Sequence, residues 1–224
     1  MAARRSLKIL TYNHLYNSIV NCTLMPGDVI VEQDVSNQLS VSRTPVREAI
    51  KMLEAEGLVY TVESTGTFVN EITDRDIEEI FQLRVMFEMT ALKDAVVLLS
   101  DQDINEMTER LEALNGMGNN DAYYELDDDL HMKIIKCSNN TRLFSFYNKL
   151  KSQLEQYRRI SAMTPNRLNK SKQEHFGIVE AIKARNLEDA SERLVQHLEN
   201  VKQSTIDARQ TLRMQRVGMG DSSR

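Results

Sequence analysis

The sequence has little of what marks membrane-spanning, secreted or loop-rich proteins. Its 224 residues include no tryptophan, three prolines, eight glycines and two cysteines. No apolar run approaches the roughly 18 residues that a membrane-spanning helix needs. The N-terminal stretch MAARRSLKIL is basic but lacks the apolar segment and the cleavage site of a signal peptide. We therefore expect a cytoplasmic protein with no membrane partner.

The two cysteines, Cys22 and Cys137, are far apart in the sequence and form no Cys-x-x-Cys pair. This spacing indicates neither a disulfide framework nor a cysteine zinc site. Both cysteines lie on apolar faces of predicted helices, so we expect unreactive thiols in the core.

Leu, Glu, Lys, Met and Ala dominate long stretches, and the scarcity of Gly and Pro leaves few breaks, which predicts a mainly α fold. The chain divides near residue 72. Before this point three helices precede the β-like runs GLVYTV and GTFVNE, which is the order of a winged helix-turn-helix. The three predicted helices are Leu7–Cys22, Glu32–Leu39 and Arg43–Glu56.

After Thr73 every segment has the periodicity of an amphipathic helix, which predicts an all-helical bundle. We therefore predict a DNA-binding domain over residues 1–72, a helical domain over residues 73–214 and a flexible tail over residues 215–224. The predicted helices of the second domain are Asp74–Leu99, Asp101–Met117, Asn119–Cys137, Thr141–Met163, Asn166–Ala184 and Leu187–Met214.

The predicted helix that begins at Arg43 carries a basic strip. Arg43, Arg47 and Lys51 recur at i, i+4 and i+8 and share its outer face. The hydroxyls of Ser42 and Thr44, with the free amides at the helix start, can bind a phosphate and leave the arginines to reach bases or further phosphates. Three cations at this spacing are, on their own, more often a solvated face. The helix-turn-helix order around them favours DNA binding instead.

A second pattern involves three of the four histidines. On the predicted helix Asn119–Cys137, Asp127 and His131 lie side by side at i, i+4 on the flank of the apolar face. Asp128 and Asp129 point away from that face, and we expect them to be ordinary solvated charges. Taken alone, the acidic run is better explained by a solvated helix than by a metal site.

His175 and His197 change that interpretation, because both lie within apolar stripes, where a buried polar ring must find a partner. Three histidines and one carboxylate thus face the interior of one domain. Neutral imidazoles with a carboxylate suit zinc or nickel, with manganese or iron less favoured. We predict a divalent metal site formed by Asp127, His131, His175 and His197.

The stretch VEQDVSNQLSVSRTPVREAIKMLEAEGLVYTVESTGTFV closely resembles the winged-helix domain of GntR-type bacterial transcription regulators. This resemblance implies a double-stranded DNA operator as the partner. It also implies operator contacts from Ser42, Arg43, Thr44 and Arg47, with the tip of the wing near Gly66 entering the minor groove.

The pattern Asp127-x3-His131, His175, His197 resembles the metal ligands of FCD, the all-helical ligand-sensing domain in the FadR branch of these regulators. The stretches LRVMFEMTAL and CSNNTRLF also fit that domain. In this family the metal commonly helps to hold a small carboxylate effector. The resemblance therefore implies an organic-acid effector for this chain.

A carboxylate effector needs a cationic partner, and Arg84 is the candidate. Arg84 and Glu88 lie i, i+4 in the apolar stripe of the predicted helix Asp74–Leu99. A buried arginine needs an anion that accepts two hydrogen bonds. That anion can be Glu88, in a structural pair, or the effector, and both interpretations remain open.

Together these features predict a homodimeric, repressor-like regulator that binds a palindromic operator and whose DNA affinity changes when an organic acid binds at the metal. Two alternatives remain. The metal can be purely structural, or the site can belong to a metal-dependent hydrolase, although no general base stands out beside it. We expect no enzymatic activity.

Overall fold

The computed structural model describes residues 2–114 and 120–220. Within these residues the chain forms nine α-helices and a three-stranded sheet. The mainly α fold with an N-terminal winged helix-turn-helix is confirmed. In chain order the elements are α1 (Ala2–Val20), β1 (Val29–Ile30), α2 (Glu32–Leu39), α3 (Arg43–Ala55), β2 (Val59–Val62), β3 (Gly66–Val69), α4 (Asp74–Leu98), α5 (Asp101–Ala113), α6 (Asn120–Cys137), α7 (Thr141–Ser161), α8 (Arg167–Lys183) and α9 (Leu187–Gly220).

The first six elements surround one apolar core. Helix α1 packs on α3, and α2 and β2 also contact α3. The core includes Leu15 and Ile19 of α1 and Val46, Ile50 and Leu53 of α3, all buried. These residues lie on single faces of their helices, so the opposite face of α3 is left for solvent or a partner.

The sheet forms the wing. Strand β3 lies between β1 and β2 and is antiparallel to both, with Phe68 opposite Val29 on one side and Tyr60 on the other. The sequence did not predict β1, because two residues are too few to show the alternating pattern of a strand. Gly66, at the start of β3, has a φ of 139°, which glycine adopts more readily than other residues.

The helices from α4 onward form a second core. Helix α4 packs against α6 and α9, α8 packs against α9, and α5 packs against α8. Buried apolar side chains from these helices fill the space between them, which is the arrangement that the helical periodicity predicted. Buried examples are Ile77, Leu92, Leu130, Ile134 and Leu194.

Several predicted helix ends need correction. Helix α1 begins at Ala2 and ends at Val20 rather than at Cys22, whose φ of 55° is left-handed. Helix α5 ends at Ala113, while the predicted end at Met117 lies outside the described residues. Helix α9 continues to Gly220, so much of the tail predicted as flexible has a helical backbone. The low helix propensity of this tail segment was therefore not sufficient to end α9 at Met214.

The chain divides into two compact units, one of Met1–Thr73 with Lys149–Tyr157 and one of Asp74–Asn148 with Arg158–Arg224. The division falls one residue from the predicted boundary. The assignment of Lys149–Tyr157 to the first unit was not predicted, and it reflects contacts such as the hydrogen bond from Ser152 Oγ to Glu56 Oε2. In the part of the chain that the structure describes, no helix combines the length and apolar character needed to cross a bilayer.

Candidate metal centre and DNA-binding surface

The second unit brings all four predicted metal ligands together. Asp127 and His131 lie one turn apart on α6, His175 lies on α8 and His197 lies on α9. Each offers one ligand atom, and these atoms lie within 4.8 Å of one another. All four side chains are buried. Helix α8 packs on α9, and α4 packs on both α6 and α9, which brings the four side chains from three helices into one cluster.

The distances within the cluster suit a shared ion. Nε2 of His175 lies 3.2 Å from Nε2 of His197 and 3.3 Å from Oδ1 of Asp127. Nε2 of His131 is buried and has no hydrogen-bond partner among the described residues. A buried, unpaired ring nitrogen costs free energy unless something binds it. The donor set of three imidazoles and one carboxylate therefore fits a divalent metal ion.

Asp127 is ionised in this environment. Its carboxylate forms a buried ion pair with Arg158 of α7, and Oδ1 accepts a 3.3 Å hydrogen bond from the hydroxyl of Tyr123. Burial by itself raises the pKa of Asp127, but Arg158 and the imidazoles of His175 and His131 hold that pKa well below its usual range. The carboxylate is therefore a ready ligand at neutral pH.

One of the two aspartates that follow Asp127 is not in the solvated environment that we predicted. Asp129 is half exposed and pairs with Arg110 at 2.5 Å. Asp128, which we expected to be an ordinary solvated charge, is only 25% exposed and accepts a 3.2 Å hydrogen bond from Nη2 of Arg158. The prediction for Asp128 is wrong because it ignored α7, whose arginine reaches two neighbouring carboxylates.

Two of the histidines have a carboxylate on their second ring nitrogen. Nδ1 of His131 lies 2.7 Å from Oε2 of Glu88, and Nδ1 of His197 lies 2.7 Å from Oε2 of Glu174. Nδ1 of His175 is buried and has no hydrogen-bond partner in the described ranges. The Glu88 and Glu174 contacts leave Nε2 of both rings for the cluster.

The protonation of two imidazoles also suits metal binding. Burial, together with the neighbouring His197, lowers the pKa of His175 well below its usual range. Burial lowers the pKa of His197 to about 4, against the opposing effect of its hydrogen bond to Glu174. Both rings are therefore neutral at neutral pH, which is the form that binds a metal.

Arg84, the predicted effector-binding residue, is 1% exposed on α4. Its Nε donates a 2.7 Å hydrogen bond to Oε1 of Glu88, so the structural pair with Glu88 is formed. Its Nη1 is buried without a hydrogen-bond partner in the part of the chain described. Nε of the guanidinium is thus bonded to Glu88, whereas Nη1 is available to an anion.

The space beside the cluster is small. A cavity of about 10 Å³ lies next to Asp127, and its lining includes Tyr123, Arg158, Ser161 and Ser171. This volume accommodates roughly one water molecule. A larger ligand therefore requires a lining side chain to move.

The predicted DNA-contacting residues share the exposed start of α3. Ser42 takes the N-cap position with extended backbone, and its side chain makes no capping hydrogen bond, which leaves the hydroxyl for a phosphate. Arg43, Thr44 and Arg47 are exposed, whereas Pro45 is buried.

The two arginines of α3 are held by the first residues of α2. Arg43 Nε donates a 3.0 Å hydrogen bond to Oε1 of Gln33. Arg47 Nε pairs with the carboxylate of Glu32 at 2.8 Å. Gly66 lies apart from these residues, on the wing, and is half-buried.

Sequence reasoning missed several residues around the cluster. Glu88 was considered only as a partner of Arg84, Tyr123 only as part of the apolar face of its helix, and Glu174 and Tyr147 not at all. Tyr147 of α7 donates a 3.0 Å hydrogen bond to Oε1 of Glu88. No sequence signal identifies Glu174, since it directly precedes His175 yet bonds to a histidine of the next helix.

Comparison with known protein families gives two matches. The family described as "FCD domain" matches residues 79–200, and the family described as "Bacterial regulatory proteins, gntR family" matches residues 10–69. The first match spans the four clustered ligands and Arg84. The second spans α3 and the wing.

Individual proteins resemble the chain over most of its length. The "Uxu operon regulator" of Haemophilus influenzae is 30% identical over 79% of this chain and 73% of its own length. The "HTH-type transcriptional repressor RspR" of Escherichia coli is 24% identical over 89% of each chain. A solved structure titled as a putative transcriptional regulator GntR from Rhodococcus sp. RHA1 has a TM-score of 0.75 at 21% identity, covering 91% of this chain and 99% of its own.

Proposed function

Because this chain belongs to the GntR family of DNA-binding transcription regulators and carries a C-terminal FCD domain, we propose that it is a repressor whose operator affinity depends on an organic acid bound at a metal centre. The observation that carries the proposal is the buried cluster of Asp127 and three imidazoles, whose ligand atoms lie within 4.8 Å of one another. The comparisons give no support to the hydrolase alternative.

Operator recognition is assigned to Ser42, Arg43, Thr44, Arg47 and, on the wing, Gly66. The first four lie together and exposed at the start of α3. Free backbone amides at a helix start bind phosphate, and arginine reads guanine in the major groove through two hydrogen bonds. Residues at this end of the recognition helix are those that reach base edges in helix-turn-helix proteins.

The metal ligands are assigned as Asp127, His131, His175 and His197. Zinc is the preferred ion, because three imidazoles and one carboxylate are typical zinc ligands, and nickel, manganese or iron are the alternatives. When bound, such an ion offers coordination positions to the carboxylate oxygens of an effector.

Arg84 is assigned to the effector. Its unpaired Nη1 is buried, and its partner Glu88 also contacts the ligand His131, which places the guanidinium next to the cluster. A carboxylate that binds there gains a charge-assisted hydrogen bond and satisfies a buried donor. This role does not compete with the Glu88 pair, which uses Nε.

A homodimer on a palindromic operator completes the proposal. On α4 the apolar side chains Leu83, Met86 and Val97 lie away from the buried stripe and are exposed. An apolar face of this kind on a soluble protein is typical of an interface. A two-fold dimer then matches a two-fold operator.

The test combines metal content with operator binding. Wild type and His175→Ala are purified in parallel, their zinc, nickel, manganese and iron are measured, and circular dichroism checks the helix content. Operator affinity is then measured by fluorescence anisotropy with and without monocarboxylic, dicarboxylic and 2-hydroxy acids. We expect wild type to contain metal and to change its operator affinity with one of these acids, and His175→Ala to lose both properties while keeping its helix content.

Two outcomes would contradict the proposal. Full metal occupancy in His175→Ala would remove the cluster from metal binding. A metal-loaded wild type whose operator affinity no acid alters, and whose affinity a chelator leaves unchanged, would favour the purely structural metal.

A further inference from the structure

We propose that Glu88 and Glu174 are positioning residues of the metal centre, each acting through one histidine ligand: Glu88 through His131 and Glu174 through His197. This inference rests on the metal site proposed above. It concerns residues that are not ligands themselves.

The contact geometry carries the proposal. Each carboxylate lies 2.7 Å from Nδ1 of its histidine, so Nδ1–H donates a hydrogen bond to the carboxylate and keeps its proton. A neutral imidazole with its proton on Nδ1 must present an unprotonated Nε2. In both rings Nε2 is the nitrogen left for the cluster: Nε2 of His197 lies 3.2 Å from Nε2 of His175, and Nε2 of His131 is buried with no partner in the described chain. The two glutamates thus select the tautomer that a metal requires.

Glu88 is held in place by three hydrogen-bond donors. It is fully buried, and besides His131 it accepts hydrogen bonds from Nε of Arg84 at 2.7 Å and from the hydroxyl of Tyr147 at 3.0 Å. These donors come from α4, α6 and α7. The carboxylate can therefore rotate little, and the ring of His131 is fixed with it.

Glu174 is held equally firmly and is partly exposed. Arg167 donates two hydrogen bonds to it, at 3.0 and 2.6 Å, and Nδ2 of Asn200 donates a third at 2.8 Å. The side chain is 19% exposed. It lines a groove of about 410 Å³ between α8 and α9, together with Glu192. The two glutamates use separate partners, so their effects can be measured independently.

The experiment measures zinc affinity of the metal-free full-length protein by competition with a chelating dye. Removal of a carboxylate that accepts a hydrogen bond from a metal-binding histidine typically lowers metal affinity about 10–100-fold. We expect Glu88→Gln and Glu174→Gln each to bind zinc 10–100-fold more weakly than wild type. Glu192→Gln, which removes a charge from the same groove, serves as the matched control and should bind zinc within about twofold of wild type.

Double variants distinguish a glutamate that acts through one histidine from a substitution that weakens zinc binding by disturbing the fold. In a His131→Ala background, Glu88→Gln should cause no further loss of zinc affinity, whereas Glu174→Gln should keep its full effect. In a His197→Ala background the pattern should reverse. The proposal is wrong if each glutamate substitution lowers zinc affinity by the same factor in the wild-type, His131→Ala and His197→Ala backgrounds.

The outcomes also distinguish this inference from the metal site on which it rests. If neither His131→Ala nor His197→Ala weakens zinc binding, the metal site itself is wrong. If both do, but Glu88→Gln and Glu174→Gln bind zinc as tightly as wild type, only the positioning role fails. Should Glu88→Gln unfold because Arg84 loses its counter-charge, the zinc affinities of Glu174→Gln and its His197→Ala double variant decide, since Glu174 is partly exposed whereas Glu88 is fully buried.

Discussion

Arg158 and Asp127 form an ion pair inside the helical unit, with the arginine side chain 9% exposed and the carboxylate 4% exposed. The pair holds one oxygen of Asp127, Oδ2, while Oδ1 faces Nε2 of His175 at 3.3 Å. A carboxylate can serve both partners, since its two oxygens offer about four acceptor positions. Asp127 is therefore oriented toward the imidazoles by a neighbour that also keeps it ionised.

This geometry predicts unequal effects along the acidic run. Asp127→Asn removes a charged ligand and leaves Arg158 without its closest counter-charge, so zinc affinity should fall by at least tenfold. Asp129→Asn removes a charge that is 54% exposed and paired with Arg110, so zinc affinity should stay within about twofold of wild type. Zinc titration against a chelating dye measures both. Equal losses in the two variants would contradict the assignment of Asp127 as a ligand.

Substitution of Arg84 should separate effector binding from metal binding. Arg84→Lys keeps a positive charge for Glu88 but removes Nη1, which is the free donor. We expect metal content to be retained and the acid concentration that changes operator affinity to rise at least tenfold. The control is Arg75→Lys on the same helix, whose side chain is 85% exposed. An unchanged effector response in Arg84→Lys would restrict Arg84 to its structural pair with Glu88.

Acid should destabilise the metal-free protein through its buried imidazoles. Burial lowers the pKa of His197 from 6.5 to about 4. As the pH falls, the unfolded state therefore takes up a proton on this ring at a higher pH than the folded state does. The stability that this ring contributes is complete above pH 6.5 and is lost as the pH falls from 6.5 through 4. The difference corresponds to about 3 kcal/mol at 1.36 kcal/mol per pKa unit. His175 contributes with the same sign.

Urea unfolding of the metal-free protein at pH 7, 5.5 and 4 measures this loss. The free energy of unfolding should decline more steeply for wild type than for His197→Gln, which lacks the titrating ring. Carboxylates such as Glu174, whose pKa is lowered to about 2, contribute to acid sensitivity mainly below pH 4.5. Parallel curves for the two proteins between pH 7 and 4 would contradict the prediction.

The sequence was sufficient for the features that follow helical periodicity. The i, i+4 spacing of Asp127 and His131, and the positions of His175 and His197 in apolar stripes, indicate four inward-facing side chains. The basic strip of α3 followed from the same rule. These features depend on one helix at a time, which is why spacing alone could reveal them.

Features that depend on packing between helices could not be predicted this way. Glu174 and His175 are neighbours in sequence, so their side chains point about 100° apart on α8, and Glu174 meets His197 only because α9 packs alongside. Strand β1 was missed because its two residues are defined by pairing with β3 rather than by their own pattern.

Operator binding gives the sharpest test of the first unit. Arg47 is 61% exposed, and its Nε is 2.8 Å from a carboxylate oxygen of Glu32, which is an exposed ion pair worth less than about 1 kcal/mol. DNA can therefore displace this pair at little cost. Arg47→Ala should weaken operator binding by about 1–3 kcal/mol if the guanidinium reads a guanine. Anisotropy titrations on operator and scrambled duplexes measure the change.

The same titrations distinguish a base contact from a phosphate contact at Arg47. Loss of a base contact lowers operator affinity more than scrambled-duplex affinity, whereas loss of a phosphate contact weakens both equally and reduces the salt dependence by about one ion. Arg75→Ala, which removes an exposed arginine from α4, is the matched control and should leave both affinities unchanged. Wild-type affinity for both duplexes in Arg47→Ala would remove this residue from the interface and transfer recognition to Arg43, whose guanidinium is held by Gln33.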